Sequence, residues 1–144
     1  MVRRLAAHVL ILVAAGSLGP ASASTRRADV IEAHDDRGLA ACNSRLDPGD
    51  TCRVAPGTYK TAIRPSRSGR EDARIVYACA SEAPGACVID TDGPDTLTLA
   101  GTFGAQGAGA GGLSFITVEG FTFEDGPVRV AGRCSRGIVL DRVA

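Results

Sequence analysis

A turn–strand–turn segment near the start of the predicted coils limits the possible folds of this chain more than any other feature. It covers residues 46–59 and reads LDPGDTCRVAPGTY, with Pro48-Gly49 and Pro56-Gly57 as its two turns. Proline presets φ and glycine supplies positive φ, so both dipeptides favour tight turns. The strand between them is too short to build a core as one arm of a hairpin, but it fits as the first step of a repeating stack.

The pattern recurs along the chain. The separation from Val54 to Val76 is 22 residues, and so is the separation from Val118 to Leu140. A period of this size, made of short strands and turns, is typical of a solenoid. The longer interval between Val76 and Val118 contains two insertions, one at 79–87 and a glycine-rich one at 101–112. The sequence therefore predicts three to four coils of about 22 residues each.

Alternation along the later strands predicts which residues face inward, since side chains of a strand point to opposite faces in turn. Glycines fall between these strands, where the chain must turn sharply. The predicted inward residues are Ile116, Val118, Val128, Val130, Ile138 and Leu140, and the predicted corner glycines are Gly120, Gly126, Gly132 and Gly137.

The first 23 residues have the form of a secretory signal peptide. Two arginines precede an apolar run over 5–18, and Ala21-Ser22-Ala23 supplies a small-x-small cleavage site. The apolar run is shorter than the roughly 20 residues that a membrane-spanning helix needs. We expect cleavage after Ala23, a secreted or periplasmic protein, and no membrane association after cleavage.

The charge of the mature chain disfavours a nucleic-acid partner. Cleavage removes Arg3 and Arg4 from the 16 basic residues and leaves all 16 acidic residues, so the net charge becomes −2. A nearly neutral chain has no general attraction for nucleic acid or for an anionic membrane. With four Phe, two Tyr and no Trp, the core is expected to be aliphatic.

A cap segment is predicted at residues 24–45, ahead of the coils. A helix over 28–42 has Asp29 as its N-cap and a partial apolar face, which residues 35–38 interrupt. Such a helix would cover the first coil, whose end would otherwise expose core and unpaired strand edges. His34 has no neighbouring ligand residues at a defined spacing, so we expect it to face solvent.

Four of the five cysteines are expected to form disulfides, because the chain is predicted to be exported. We pair Cys42 with Cys52 and Cys79 with Cys87, since both loops are local. A loop of about ten residues is worth roughly 2–3 kcal/mol in the chain-entropy model. The alternative of a zinc site lacks closely spaced cysteine pairs. Cys134 remains as a buried thiol or one whose partner lies outside this chain.

Several segments together resemble a known family. Residues 47–51 (DPGDT) with 55–60 (APGTYK), then 74–77 (RIVY), 115–123 (FITVEGFTF) and 124–126 (EDG) resemble the N-terminal part of the chondroitinase B-like and alginate-lyase polysaccharide lyases. The resemblance spans about Asp29 to Val143. It implies an all-β fold, a right-handed parallel β-helix with a short N-terminal capping helix.

The same resemblance implies an acidic polysaccharide as ligand and β-elimination at its uronate units. In that family a Ca²⁺ ion neutralises the uronate carboxylate, a lysine is the general base and an arginine assists. These residues belong to later coils, and Lys60, the one lysine, matches none of them. No catalytic or metal-binding residue is therefore assigned in this chain.

Two charged groups invite a functional interpretation. The aspartates at 90, 92 and 95 suit either a Ca²⁺ loop or, as we prefer, an ordinary turn in which aspartates cap their own backbone. The arginines would line a groove for an anionic glycan if they share a face; they are Arg129, Arg133, Arg136 and Arg142. The acidic residues Glu119, Glu124, Asp125 and Asp141 are expected to face solvent.

The resulting hypothesis has three parts: a signal peptide at 1–23, a cap segment at 24–45, and coils at 46–144 that are expected to be truncated. The last coil would present an open apolar edge that needs further coils or a partner. We expect the N-terminal portion of a secreted polysaccharide lyase-type protein. The alternative is a non-catalytic module for glycan binding or surface attachment.

Overall fold

The computed structural model describes residues 26–93, 95–99, 112–130 and 135–144. The predicted signal peptide at 1–23, most of the glycine-rich insertion, Gly132, Arg133 and Cys134 lie outside these residues. The elements in chain order are β1 (Val30–Ala33), α1 (Asp36–Arg45), β2 (Thr51–Val54), β3 (Gly57–Tyr59), β4 (Ile75–Cys79), β5 (Cys87–Asp90), β6 (Leu97–Thr98), β7 (Ile116–Glu119), β8 (Phe121–Glu124), β9 (Val128–Arg129) and β10 (Val139–Asp141).

The strands form three small sheets in which every strand pair is parallel. The largest sheet has five strands in the order β1-β2-β4-β7-β10, the second has the order β3-β5-β8, and the third pairs β6 with β9. Parallel neighbours bring the same ends of successive strands to one edge. Residues far apart in sequence, such as Lys60 and Asp90, therefore meet at the carboxyl ends of β3 and β5.

The predicted all-β, right-handed parallel β-helix with a regular period is wrong. The described chain is mixed, with one ten-residue helix and short parallel strands in three separate small sheets. Val54 pairs with Cys79, three residues from the predicted partner Val76, whereas Leu140 does pair with Val118. Apolar spacing misplaces the first pairing because the connections between paired strands differ in length.

The core lies on the inward faces of the sheets. Ile75 and Tyr77 of β4 are fully buried, as are Ile116 and Val118 of β7. These alternate positions pack against the equivalent positions of neighbouring strands. The core continues through the other elements with Leu39, Cys42, Cys52, Val54, Tyr59, Ile63, Cys87, Ile89, Leu97, Leu99 and Phe121.

Part of the predicted inward set is exposed. Ile116 and Val118 are buried as predicted, and Ile138 is half-buried. Val128, Val130 and Leu140 expose more than two fifths of their surface. Alternation along a strand predicts which way a side chain points, but not whether another strand covers it. No described strand lies beyond Val128, Val130 and Leu140 to cover their side chains.

The helix begins later than predicted. Asp35 is the N-cap, and its carboxylate accepts a hydrogen bond from the Gly38 N–H at 2.7 Å. The residues at 35–38 that interrupt the apolar face thus form the cap and first turn, because an Asp N-cap satisfies a free backbone donor. Val30 to Ala33 form β1 instead of helix, and Leu39 faces the core.

Both predicted disulfides are confirmed. Cys42–Cys52 joins α1 to β2, and Cys79–Cys87 joins the end of β4 to the start of β5. The sequence separations are 10 and 8 residues, and in both bonds the Cα atoms are 5.8 Å apart. The first disulfide holds α1 against the core, and the second closes the loop at 80–86.

The first turn of the 46–59 segment is built on a buried carboxylate. Asp50 is 1% exposed and accepts hydrogen bonds from the backbone N–H groups of Asp29, at 3.0 Å, and Asp47, at 2.9 Å. Buried carboxylates are tolerated where such donors and a cation surround them, and Arg26 lies 3.4 Å away. Arg26 also bonds Asp47, and this hydrogen bond, with a second from Arg67, lowers the pKa of Asp47 despite partial desolvation.

Candidate functional site

The lysine cleft is the first of two candidate sites. It has a volume of about 490 Å³, and its lining includes the charged side chains of Lys60, Arg64 and Asp95. The Lys60 ammonium lies 2.8 Å from Asp90 Oδ2 and 3.4 Å from Asp92 Oδ1. The hydrogen bond to Asp90 is the main cause that raises the pKa of Lys60, against a smaller desolvation effect.

The rest of the lysine cleft is also balanced in charge. Arg64 lies 3.7 Å from Asp95 Oδ2, and the Arg129 Nε lies 2.6 Å from Asp95 Oδ1. The Arg129 contact is close enough for an ion pair but lacks hydrogen-bond alignment, so Asp95 Oδ1 has no hydrogen bond within the described residues. Each carboxylate of the cleft thus faces a cationic side chain, which leaves little net attraction for an anionic ligand.

The aspartates at 90, 92 and 95 do not fit a Ca²⁺ ion. All three carboxylates contact Lys60, Arg64 or Arg129, and these cations would repel a metal ion. Among the described residues, no group of three or more acidic, histidine or cysteine side chains has a metal-binding arrangement. The preferred interpretation was a turn in which aspartate side chains cap the backbone, and the capping side chain differs from this prediction. The Thr91 hydroxyl, not an aspartate, bonds the turn carbonyl of Asp95 at 3.2 Å.

The two tyrosines are buried hydrogen-bond donors. The Tyr77 hydroxyl donates to Asn43 Oδ1 at 3.2 Å, and burial raises the pKa of this phenol. The Tyr59 hydroxyl donates to the Ala55 carbonyl at 2.7 Å; burial, with the nearby charges of Asp35 and Asp36, raises its pKa as well. Both phenols therefore keep their protons near neutral pH, and neither is poised as a general base.

The arginine cleft is the second candidate site. It has a volume of about 610 Å³, within the usual range for a small-ligand pocket, and lies between the segment at 68–69 and the residues that precede β7 and β10. Its lining is Ser68, Gly69, Gly112, Ser114, Phe115, Ser135 and Arg136. Of the described residues, no acidic side chain lines this cleft, so Arg136 gives it a positive potential.

The position of Arg136 is fixed by an aromatic ring. Its guanidinium carbon lies 5.3 Å from the centroid of Phe115, a distance at which a cation is attracted to the ring face. Phe115 has φ of 55°, a left-handed conformation that non-glycine residues seldom adopt. The ring packs on Gly137, where an added Cβ would lie 2.5 Å from a ring carbon. Packing on Gly137 therefore restrains the ring beneath the guanidinium.

Three serines add hydroxyl groups around Arg136. Ser68 Oγ accepts the Ser114 N–H at 3.1 Å, and Ser114 Oγ accepts the Arg136 N–H at 3.4 Å. Ser135 Oγ is buried and makes no hydrogen bond to the described part of the chain. An unsatisfied buried hydroxyl is unfavourable unless a further donor or acceptor approaches. The arrangement suits a ligand rich in hydroxyl groups.

The described arginines that were predicted to share a groove each have a different partner. Arg129 pairs with Asp95, Arg136 lies over Phe115, and Arg142 lies 3.3 Å from Asp141. Arg133 lies outside the described residues. The sequence pattern identified Arg136 only as one of these four arginines, and it did not identify Phe115 as the aromatic ring that Arg136 contacts. A usable signal exists, because Ser114-Phe115 directly precedes β7, and Ser135-Arg136 lies shortly before β10 of the same sheet.

The other predicted positions agree with the structure in part. His34 is exposed, as predicted, in the bend between β1 and α1. Glu124, Asp125 and Asp141 are exposed, whereas Glu119 is half-buried. Within the described ranges, no helix has the length and apolar character needed to cross a bilayer.

Comparison with known proteins assigns no family: no protein-family model matches the chain, and no curated protein matches it significantly.

Proposed function

We propose that this protein is an exported, disulfide-stabilised module that binds an acidic polysaccharide through the arginine cleft. The observation that carries the proposal is the exposed Arg136 guanidinium, held over Phe115 in a cleft without an acidic side chain among its described lining residues. The proposed location, secreted or periplasmic, is consistent with the two disulfides, since such bonds persist in oxidising compartments.

The chemistry of the cleft matches that of a carboxylated sugar. A guanidinium offers paired donors in a plane and binds a carboxylate with charge-assisted hydrogen bonds. The serine hydroxyls can donate to and accept from sugar hydroxyls, and the Ser135 hydroxyl has no hydrogen-bond partner among the described residues. Because Phe115 restrains Arg136, less side-chain freedom is lost when the ligand binds.

The lysine cleft is the weaker candidate for the same ligand. Its cations already contact Asp90, Asp92 and Asp95, so an anionic glycan would have to displace these carboxylates. Lys60 also holds its proton more firmly than a free lysine. A general base must be unprotonated at the working pH, so Lys60 is unsuited to β-elimination.

Calorimetric titration with alginate or dermatan-type oligosaccharides tests the proposal. We expect binding that weakens as salt is added, since the contact is ionic and exposed. Arg136→Ala should weaken binding about tenfold or more, the effect of losing a charged hydrogen-bond donor. Arg45→Ala is the matched control, because Arg45 is an exposed arginine at the end of α1, and it should bind normally.

Equal affinity of the Arg136→Ala and Arg45→Ala variants would contradict this site. The same samples separate binding from catalysis, because a lyase releases unsaturated products that absorb in the ultraviolet. The second candidate function is the N-terminal portion of a polysaccharide lyase-type protein whose catalytic residues lie outside this chain. Product formation by this chain alone would overturn the non-catalytic proposal.

A further inference from the structure

We propose that Arg74 is a positioning residue for the arginine cleft. Arg74 does not line the cleft, but its guanidinium binds the backbone beside Arg136. By holding Gly137, it sets the surface on which the Phe115 ring packs and thus the place of the Arg136 guanidinium. This inference rests on the proposed function, because it concerns how the same cleft is held ready for a carboxylated sugar.

The Arg74 side chain spans three neighbouring strands of the five-stranded sheet. Arg74 directly precedes β4, and its Nε donates to Thr117 Oγ1 of β7 at 2.9 Å. Its Nη2 donates to the Ile116 carbonyl at 3.3 Å and to the carbonyl of Gly137, which lies shortly before β10. A guanidinium is planar and its donors keep fixed directions, so this one side chain restrains the three strands relative to one another.

Gly137 is the point at which this restraint reaches the cleft. Its φ is 63°, and an added Cβ would lie 2.5 Å from Phe115 Cδ1, so the ring lies directly against the Gly137 backbone. Arg136 is the preceding residue, and its guanidinium carbon lies 5.3 Å from the ring centroid. A shift of Gly137 therefore moves both the packing surface of the ring and the backbone that carries Arg136.

The hydrogen bond from Arg74 adds to two neutral ones at the residue before Gly137. The Phe115 N–H donates to the Arg136 carbonyl at 2.9 Å, and the Arg136 N–H donates to Ser114 Oγ at 3.4 Å. The second distance is long for a hydrogen bond, so this contact is weak. The donor on Arg74 is charged, and charge-assisted hydrogen bonds are about twice as strong as neutral ones. Arg74 therefore strengthens a segment that is otherwise held by neutral contacts.

The role of Arg74 depends on its geometry as well as its charge. Its partners are a hydroxyl and two carbonyl groups, and within the described residues it forms no ion pair. A lysine ammonium is a compact charge on a flexible stem and cannot reproduce the planar set of donors. Arg74→Lys therefore separates the two effects, because it keeps the positive charge and loses the link between β7 and Gly137.

NMR of the ligand-free protein tests the positioning directly. The ring current of Phe115 displaces the resonances of the Arg136 δ-methylene protons, so the displacement reports how closely the guanidinium stays over the ring. We expect most of this displacement to be lost in Arg74→Met and in Arg74→Lys. Arg53→Met is the matched control and should retain it, since Arg53 is an exposed arginine of β2 in the same sheet.

Calorimetric titration with alginate oligosaccharides then measures the effect on binding. Arg74→Met and Arg74→Lys should bind about threefold or more weakly than Arg53→Met, because residues in contact couple on this scale. Every residue that lines the cleft is intact in these variants, so the loss comes from poorer preorganisation of Arg136. If the unmodified protein binds no oligosaccharide but Arg74→Met still loses the displacement, the proposed function fails and the positioning role stands.

A second variant covers the case in which Arg74→Met fails to fold. Thr117→Val removes the hydroxyl that accepts the Arg74 Nε–H and leaves a side chain of similar shape in β7. We expect it to lose part of the displacement at Arg136.

Three results would overturn the positioning role. One is an unchanged displacement in folded Arg74→Met or, where that variant does not fold, in Thr117→Val. Another is an equal loss of the displacement in Arg53→Met. The third is normal oligosaccharide affinity in Arg74→Met or Arg74→Lys, because the restraint on Arg136 would then contribute nothing to binding.

Discussion

Tyr77 links three parts of the molecule through one side chain. It belongs to β4, is fully buried, and donates its hydroxyl hydrogen to Asn43 of α1. The Asn43 side chain in turn donates to the Ala62 carbonyl at 2.8 Å and accepts the Arg64 N–H at 3.0 Å. The helix, the five-stranded sheet and the segment at 62–64 are therefore held in a single hydrogen-bonded cluster.

The buried phenol predicts loss of stability in alkali. Burial raises the pKa of Tyr77 above its ordinary value of 10.0, so the unfolded chain loses this proton first as the pH rises. Above about pH 10, the unfolded state binds fewer protons than the folded state, and the free energy of unfolding falls with pH. Tyr77→Phe removes this contribution.

Urea unfolding between about pH 9 and about pH 11 checks this expectation. The unfolding free energy of the unmodified protein should fall more steeply with pH than that of Tyr77→Phe. At neutral pH the variant should be less stable by about 1 kcal/mol, because the Asn43 hydrogen bond is lost. Lys60 and Tyr59 also have raised pKa values, but they contribute to both proteins. Parallel pH profiles would contradict the role of Tyr77.

For a single helix or strand, the local sequence predicts the type of element more accurately than its first residue. The sequence predicted a capping helix, and α1 exists, but Asp35 replaces Asp29 as its N-cap. Asp29 instead donates its N–H to the carboxylate of Asp50. Both aspartates are good caps by residue type, and β1 pairing with β2 decides between them.

Gly69 positions the segment that joins the early elements to the arginine cleft. An added Cβ there would lie less than 3.0 Å from two backbone atoms, the Phe115 carbonyl oxygen and, at 2.8 Å, the Ile75 nitrogen. Backbone atoms of packed strands cannot move away as a flexible side chain would. We expect Gly69→Ala to lower the free energy of unfolding by about 2–3 kcal/mol.

Gly93→Ala is the control for this prediction. The nearest atom to a Cβ at Gly93 is Thr91 Oγ1 at 4.0 Å, so the methyl group has space. Urea denaturation of the two variants should show a clear loss for Gly69→Ala and little change for Gly93→Ala. Equal stability of the two variants would show that the strands beside Gly69 can move to accommodate the methyl group without a loss in the free energy of unfolding.

At the scale of the whole molecule, export and the disulfides can be tested by intact mass. We expect the exported product to lack the mass of residues 1–23, because cleavage after Ala23 removes the signal peptide. Reduction should add about four hydrogens, two for each of the bonds Cys42–Cys52 and Cys79–Cys87. A product that retains residues 1–23, or one that gains no hydrogens, would contradict the predicted export or the disulfides respectively.

Features that depend on neighbouring residues could be predicted from the sequence alone. Turn dipeptides placed short strands, and two local cysteine pairs were assigned correctly, because both depend on residues close together in the chain. The alternation at Ile116 and Val118 identified part of the core for the same reason.

Contacts between residues distant in sequence became known only from the folded chain. It set the register that pairs Val54 with Cys79, the mixed architecture of one helix and three small sheets, and the placement of Arg136 over Phe115. It also left Leu140 exposed, although Leu140 has the same pattern as buried Val118. The physical reason is that parallel strands meet through connections of unequal length, and burial depends on whether a neighbouring strand covers the side chain.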